Sequence, residues 1–148
     1  MNSRLMNDTF RLLQEEWSPI AGIVLDVPCR DMNRMADVLD PHQLEPKRQI
    51  VLMALYSLLY MAQERHQDCS FSNPELTKHI LDGDYLYSFY LQLAVKCRET
   101  DLVCYLAPVL KRQQIALAEG RWVDEDLTKH FETFLCDEFN QKQAGRAM

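Results

Sequence analysis

The chain of 148 residues is short of several things, and each shortage closes a class of function. Only four glycines occur, at 22, 83, 120 and 145, and they form no cluster, so no glycine-rich phosphate loop is present. No Gly-x-Ser-x-Gly turn occurs either. There is no Asp-Asp dipeptide and no Cys-x-x-Cys. The five cysteines (29, 69, 97, 104, 136) are odd in number, and the four histidines (42, 66, 79, 130) lie at no zinc-ligand spacing from them. The N-terminal residues do not read as a signal peptide, so the thiols are expected to be reduced, small and buried, in a cytoplasmic protein. Positive charge is outnumbered: a net charge of −6 argues against nucleic acid as the main partner.

What is present favours helix. Leu, Met, Gln, Glu and Lys are abundant, and 47% of residues are apolar. The length is that of one domain with a real core, and residues 1–148 are read as a single all-α bundle. The periodicity predicts helices over 2–17, 31–39, 44–65, 74–97, about 100–119 and 123–140. Leu5, Met6, Leu12, Leu13 and Trp17 form the first apolar stripe. Pro19 and Gly22 interrupt it, and "IAGIVLDVP" reads as a buried connector or a helical turn, since no partner strand is in sight. Met32, Met35, Val38 and Leu39 point inward on the second helix. Asn73 caps the fourth, with Pro74 in its first position. Leu81, Tyr85, Leu86, Phe89, Tyr90, Leu93 and Ala94 make its buried stripe. Pro108 should kink the fifth. "DED" at 124–126 opens the sixth, where the macrodipole is positive, and Val123, Leu127, Phe131, Phe134, Leu135 and Phe139 line its inner side. Residues 141–148 read as a frayed tail.

The third helix stands apart. From Ile50 to Ala62 the only polar side chain besides the tyrosines is Ser57. The run is too short for a bilayer, which takes about 20 residues, and no transmembrane segment is expected. A helix apolar all round must be covered all round, and one small domain is expected to cover one side of it. A partner protein is the expected cover for the other.

The carboxylates suggest no chemistry of their own. Asp82 and Asp84 are two apart and so point roughly 200° from each other around a helix, whereas shared metal ligands need three- or four-residue spacing. They are expected to meet solvent or a neighbouring cation, with Gly83 permitting close helix approach. Glu64 with Asp68, and Asp37 with Asp40, sit where helices end. No catalytic residue and no metal ligand is assigned.

Three segments taken together, "EPKRQIVLMALYSLLY", "ILDGDYLYSFYLQLAV" and "DLVCYLAPVLKRQQIALAEGR", resemble in order three helices of trans-polyprenyl diphosphate synthases. Lys47 and Arg48 match the Lys-Arg of the family's Gly-Lys-Arg-x-Arg-Pro motif, while Pro46, Ile50 and Val51 depart from it. "LDGDYL" is similar to the family's "LAGDYL", so Gly83, Asp84 and Tyr85 match a structural signature rather than a metal site. Both aspartate-rich motifs are missing, and the chain is roughly half a catalytic subunit in length. The resemblance, which covers about residues 44–121, is therefore to the small, non-catalytic subunit of two-component hexaprenyl or heptaprenyl diphosphate synthases of menaquinone side-chain synthesis. It implies a truncated trans-prenyltransferase fold and no cofactor on this chain. It also implies a large partner subunit that binds magnesium, and help from this chain in setting product length. Met53, Tyr56, Tyr60, Tyr85, Phe89, Tyr90 and Leu93 are the candidates for the partner seam and for lining a tunnel along the isoprenoid tail. Lys47 and Arg48 are the candidates for a residual diphosphate contact. The alternatives are a helical adaptor unrelated to isoprenoids and a small magnesium-dependent isoprenoid enzyme active alone.

Overall fold

A computed structural model of the chain describes residues 3–17, 22–67, 69, 72–121 and 126–147. Pro19, Asp68, Val123, Asp124 and Glu125 lie outside these residues, and the readings that rested on them are left there. Among the described residues the chain is all helical, with no strand. The helices are α1 (Ser3–Glu16), α2 (Cys29–Leu39), α3 (Pro46–Gln67), α4 (Leu76–Lys96), α5 (Thr100–Ala118) and α6 (Leu127–Ala147), with one short 3-10 turn at Asp40–His42. No described helix is long and apolar enough to cross a membrane.

α3 is the axis of the molecule, and Pro46 at its first position is pre-shaped for a helix start. It packs against α1, α2, α4 and α6, and its Gln63 side chain meets Gln113 of α5. From Val51 to Leu59 every residue is buried, as are Met61 and Ala62. The expectation that one side of this helix is left for a partner is therefore corrected: five neighbours from the same chain wrap it. Ser57 is accommodated by donating to the Met53 carbonyl one turn back, at 2.8 Å.

The surrounding helices supply one stripe each. Leu13 of α1 is buried, Leu5, Met6, Leu12 and Trp17 are half-buried, and the Trp17 ring stands edge-on to Tyr85 and Phe89 of α4. The stretch before α2 is an irregular connector with Ile23 and Val27 buried. On α2, Met32, Met35, Ala36 and Leu39 are inside and Val38 is half-buried.

Several boundaries and burials differ from expectation. α4 begins at Leu76, because Asn73 turns the chain first: its side-chain oxygen accepts from the Glu75 N–H at 2.9 Å and its carbonyl from Leu76 N–H at 3.1 Å. α5 starts at Thr100 behind an N-cap at Glu99, with Pro108 inside it. Leu81 and Phe139 share the spacing of their inner neighbours but are 61% and 55% exposed. Phe139 lies in the stretch of α6 from 139 to 146 that is exposed throughout. Beyond Glu138, α6 continues to Ala147 and is exposed over 139–146, so residues 141–147 are helical rather than a frayed tail. The thiols are free, but none is buried: Cys29, Cys104 and Cys136 are exposed and Cys69 and Cys97 half-buried.

Candidate functional site

The seven residues expected at a partner seam do not share a surface. Met53, Tyr56 and Leu93 are 0–2% exposed, Tyr90 is 0% and Phe89 5%. Tyr56 meets Phe131 of α6 edge-on, and Tyr90 lies beside Tyr87. These five fill the chain's own core, so the seam and the tunnel built on them are corrected. The physical reason is the wrapping of α3 by its own chain, which buries every residue from Val51 to Leu59. Tyr60 and Tyr85 alone are half-buried. The Tyr60 hydroxyl donates to Asp31 at 3.2 Å, and burial, with Glu64 and Asp31 nearby, pushes its pKa up to about 12. Burial likewise raises Tyr56 and Tyr90 well above the ordinary phenol value. The Tyr90 hydroxyl is buried with no hydrogen-bond partner among the described residues.

Gly83 is where the resemblance to "LAGDYL" acquires a physical role. It lies on the buried side of α4 against the end of α3, and a Cβ there would overlap the His66 ring. The His66 ring occupies the space that a side chain at this position would take. Nε2 of the same imidazole lies 3.1 Å from Asp84 Oδ1. Asp82, one residue to the other side, is paired with Lys78 at 2.7 Å along its own helix. Both aspartates therefore meet a neighbouring nitrogen, as their spacing suggested, and they do not converge. His66 and Asp84 line a shallow cavity of about 620 Å³ together with Cys69, Ile80 and Arg121. The Cys69 thiol is directed at the Arg65 carbonyl, 3.4 Å away. Among the described residues no three His, Cys, Asp or Glu side chains are placed to hold a metal ion.

Lys47 and Arg48 part company. Lys47 is exposed at the rim of a groove of about 570 Å³ between α1, the start of α3 and the α4–α5 turn. Leu12, Val51 and Leu93 form its apolar floor, and Glu16, Glu45, Lys96 and Arg98 share its rim. Lys96 and Glu16 bridge across it at 2.5 Å. Arg48 is turned into the protein: Nε meets Glu99 at 2.7 Å, and Nη1 and Nη2 meet Glu138 at 2.6 and 2.8 Å. One cation thus joins α3, the N-cap of α5 and α6. Hydrogen bonds to Glu138 raise the Arg48 pKa further against the opposing cost of burial, and the same bonds hold the Glu138 carboxyl below its ordinary range. Two carboxylates around one guanidinium leave no positive field for a diphosphate, so Arg48 is corrected from ligand contact to internal clamp.

Sequence reasoning missed this clamp, because its members lie 51 and 90 residues apart. It also missed the join at the start of α6. There Arg34 of α2 meets Asp126 at 2.8 Å, and Asp126 Oδ1 accepts from the Thr128 N–H at 3.1 Å. Burial opposes ionisation of Asp126, but the bonds from Thr128 and Arg34 prevail and lower its pKa. No protein-family model, curated protein or solved structure matches the chain.

Proposed function

We propose that this chain is a non-catalytic subunit of a two-component trans-polyprenyl diphosphate synthase, acting by pairing with a large subunit that carries both aspartate-rich motifs and the magnesium. The observation that carries the reading is Gly83. The "LDGDYL" stretch resembles a family signature, and its glycine is the residue at which α4 presses on His66 of α3. Those two helices hold two of the three segments that carry the resemblance. The absence of an Asp-Asp pair from these 148 residues supports a role without catalysis for them. With Met53, Tyr56, Phe89 and Tyr90 spent on the core, the subunit acts from its outer surface. It holds the large subunit in an active arrangement, in the cytoplasm, and influences product length through that partner.

A helical adaptor unrelated to isoprenoids is the second reading, favoured by the self-sufficient burial of α3. The two separate in one assay. The purified chain is mixed with a large synthase subunit from the same genome, and incorporation of labelled isopentenyl diphosphate into long products is followed. The subunit reading expects neither chain alone to make long products and the mixture to do so. A mixture no more active than the large subunit alone leaves the adaptor, and elongation by this chain alone sinks both.

A further inference from the structure

The groove between α1, the start of α3 and the α4–α5 turn is apolar below and charged above. Leu12, Val51 and Leu93 form its floor, and its volume of about 570 Å³ is that of a small-molecule site. Four cations line it, and two are engaged: Arg48 holds Glu99 and Glu138, and Lys96 holds Glu16. Lys47 and Arg98 are exposed at the rim and have no ion pair among the described residues. Glu45 is the one lining carboxylate in the same condition. The unpaired charges therefore leave a surplus of one positive charge, in a chain whose net charge is −6.

Two further observations bring the free cations together. Burial raises the pKa of the Cys97 thiol, and Lys96 and Lys47 oppose it, so Lys47 lies close to the residue before Arg98. Arg98 itself sits in the left-handed region at φ 61°, where the corresponding residue after α5 is Gly120 at φ 70°. An arginine there costs stability that glycine does not. Its guanidinium presents a planar fork suited to a carboxylate, beside a floor suited to an apolar tail. A surplus of one charge matches one singly charged head better than a multiply charged diphosphate.

We propose that this groove binds a small amphiphile with a single carboxylate head and an apolar tail. The tail lies on Leu12, Val51 and Leu93, and the head meets the Arg98 fork with Lys47 beside it. Arg98 is held in its costly conformation because only there does its side chain reach the rim. The site is independent of the subunit reading above.

The test titrates the full chain with octanoate by calorimetry, beside acetate, octanol, octylamine and octyl phosphate. Octanoate should saturate one site, with acetate, octanol and octylamine each about tenfold weaker or more. Arg98→Gly and Lys47→Gln should each weaken octanoate by about tenfold, and Glu132→Lys, exposed on α6, should leave it unchanged. Circular dichroism checks that each variant is folded, and backbone amide shifts on adding octanoate should centre on Val51, Cys97 and Arg98. Octanol or octylamine binding as tightly as octanoate overturns the role of the two cations. Acetate binding as tightly overturns the apolar floor, and tighter octyl phosphate overturns the choice of head. No saturable binding, or binding that both rim variants keep, overturns the site.

Discussion

α3 and α5 are both rich in apolar residues, yet they live differently. α3 is enclosed by its own chain along most of its length, while α5 turns Leu102, Leu106, Val109 and Leu110 inward and keeps Ile115 and Pro108 outside. An apolar helix therefore does not by itself announce a partner. What matters is whether the home fold reaches every side of it. The contrast has a direct consequence for stability. Met53→Ala on α3 removes a fully buried side chain and should cost roughly 3 kcal/mol, by transfer and cavity together. Ile115→Ala on α5 should change stability by no more than about 0.5 kcal/mol. Paired urea titrations check both, and a comparable loss at Ile115 would remove the distinction.

The next comparison is between the two joins of α6. At its start, Arg34 is largely exposed, and its bond to Asp126 is worth little, as surface pairs generally are. Farther along, Arg48 holds two carboxylates whose side chains are only 8% and 23% exposed. Arg48→Met leaves Glu99 and Glu138 facing each other and should cost about 2–3 kcal/mol, somewhat below a fully buried pair because solvent reaches Glu138. Arg34→Met should cost under about 1 kcal/mol. The clamp also has a pH signature. The folded pKa of Glu138 is depressed below 4.5, so its contribution is present above that value and is lost as the pH falls through the folded pKa. Glu138→Gln should flatten this part of the stability–pH curve, and an unchanged acid limb in chemical unfolding at stepped pH would contradict the assignment.

These two contrasts show what the sequence could and could not convey. Helical class and most inner stripes are legible because they rest on local spacing: Met32, Met35, Leu86 and Phe131 are buried where periodicity puts them. Enclosure is not local. The run from Ile50 to Ala62 reads as helix, but nothing within it tells how many neighbours will cover it. Arg48 looked like half of a ligand motif because its partners, Glu99 and Glu138, become neighbours only after folding. Phe139 obeys the stripe and is exposed with the rest of α6 over 139–146. Gly83 was legible for a plain reason: glycine inside a helix is unfavourable unless a neighbour needs the space.

That last point can be sharpened by setting Gly83 in two backgrounds. Alanine is favoured over glycine inside a helix by about 1 kcal/mol. In the native chain Gly83→Ala must push the His66 ring aside and forfeit its contact with Asp84, so the gain should be cancelled or reversed. In His66→Ala the space is open, and adding Gly83→Ala should recover about 1 kcal/mol. Thermal melts of the four proteins measure the coupling. Equal effects in both backgrounds would mean that the imidazole is not what excludes a side chain there.

The smallest effect comes from the most closely matched pair of sites. α4 and α5 end in the same hydrogen-bonded cap. At α4, Arg98 N–H meets the Val95 carbonyl at 3.2 Å and Glu99 N–H the Ala94 carbonyl at 2.8 Å. At α5, Gly120 N–H meets the Leu117 carbonyl at 3.1 Å and Arg121 N–H the Ala116 carbonyl at 2.8 Å. Both turning residues are left-handed, with φ of 61° at Arg98 and 70° at Gly120. Only one of them is glycine, so the α4 cap carries a steric cost that the α5 cap avoids. Arg98→Gly should relieve that cost and, after the entropy glycine adds to the unfolded chain, stabilise by roughly 0.5 kcal/mol. Gly120→Ala, with open space around it but the same φ, should destabilise by about 1 kcal/mol. Opposite signs in chemical denaturation would establish that the two caps share one geometry and differ only in the residue bearing it. A loss at Arg98→Gly would mean that its side chain, at the rim of the groove beside Lys47, contributes more than the left-handed backbone costs.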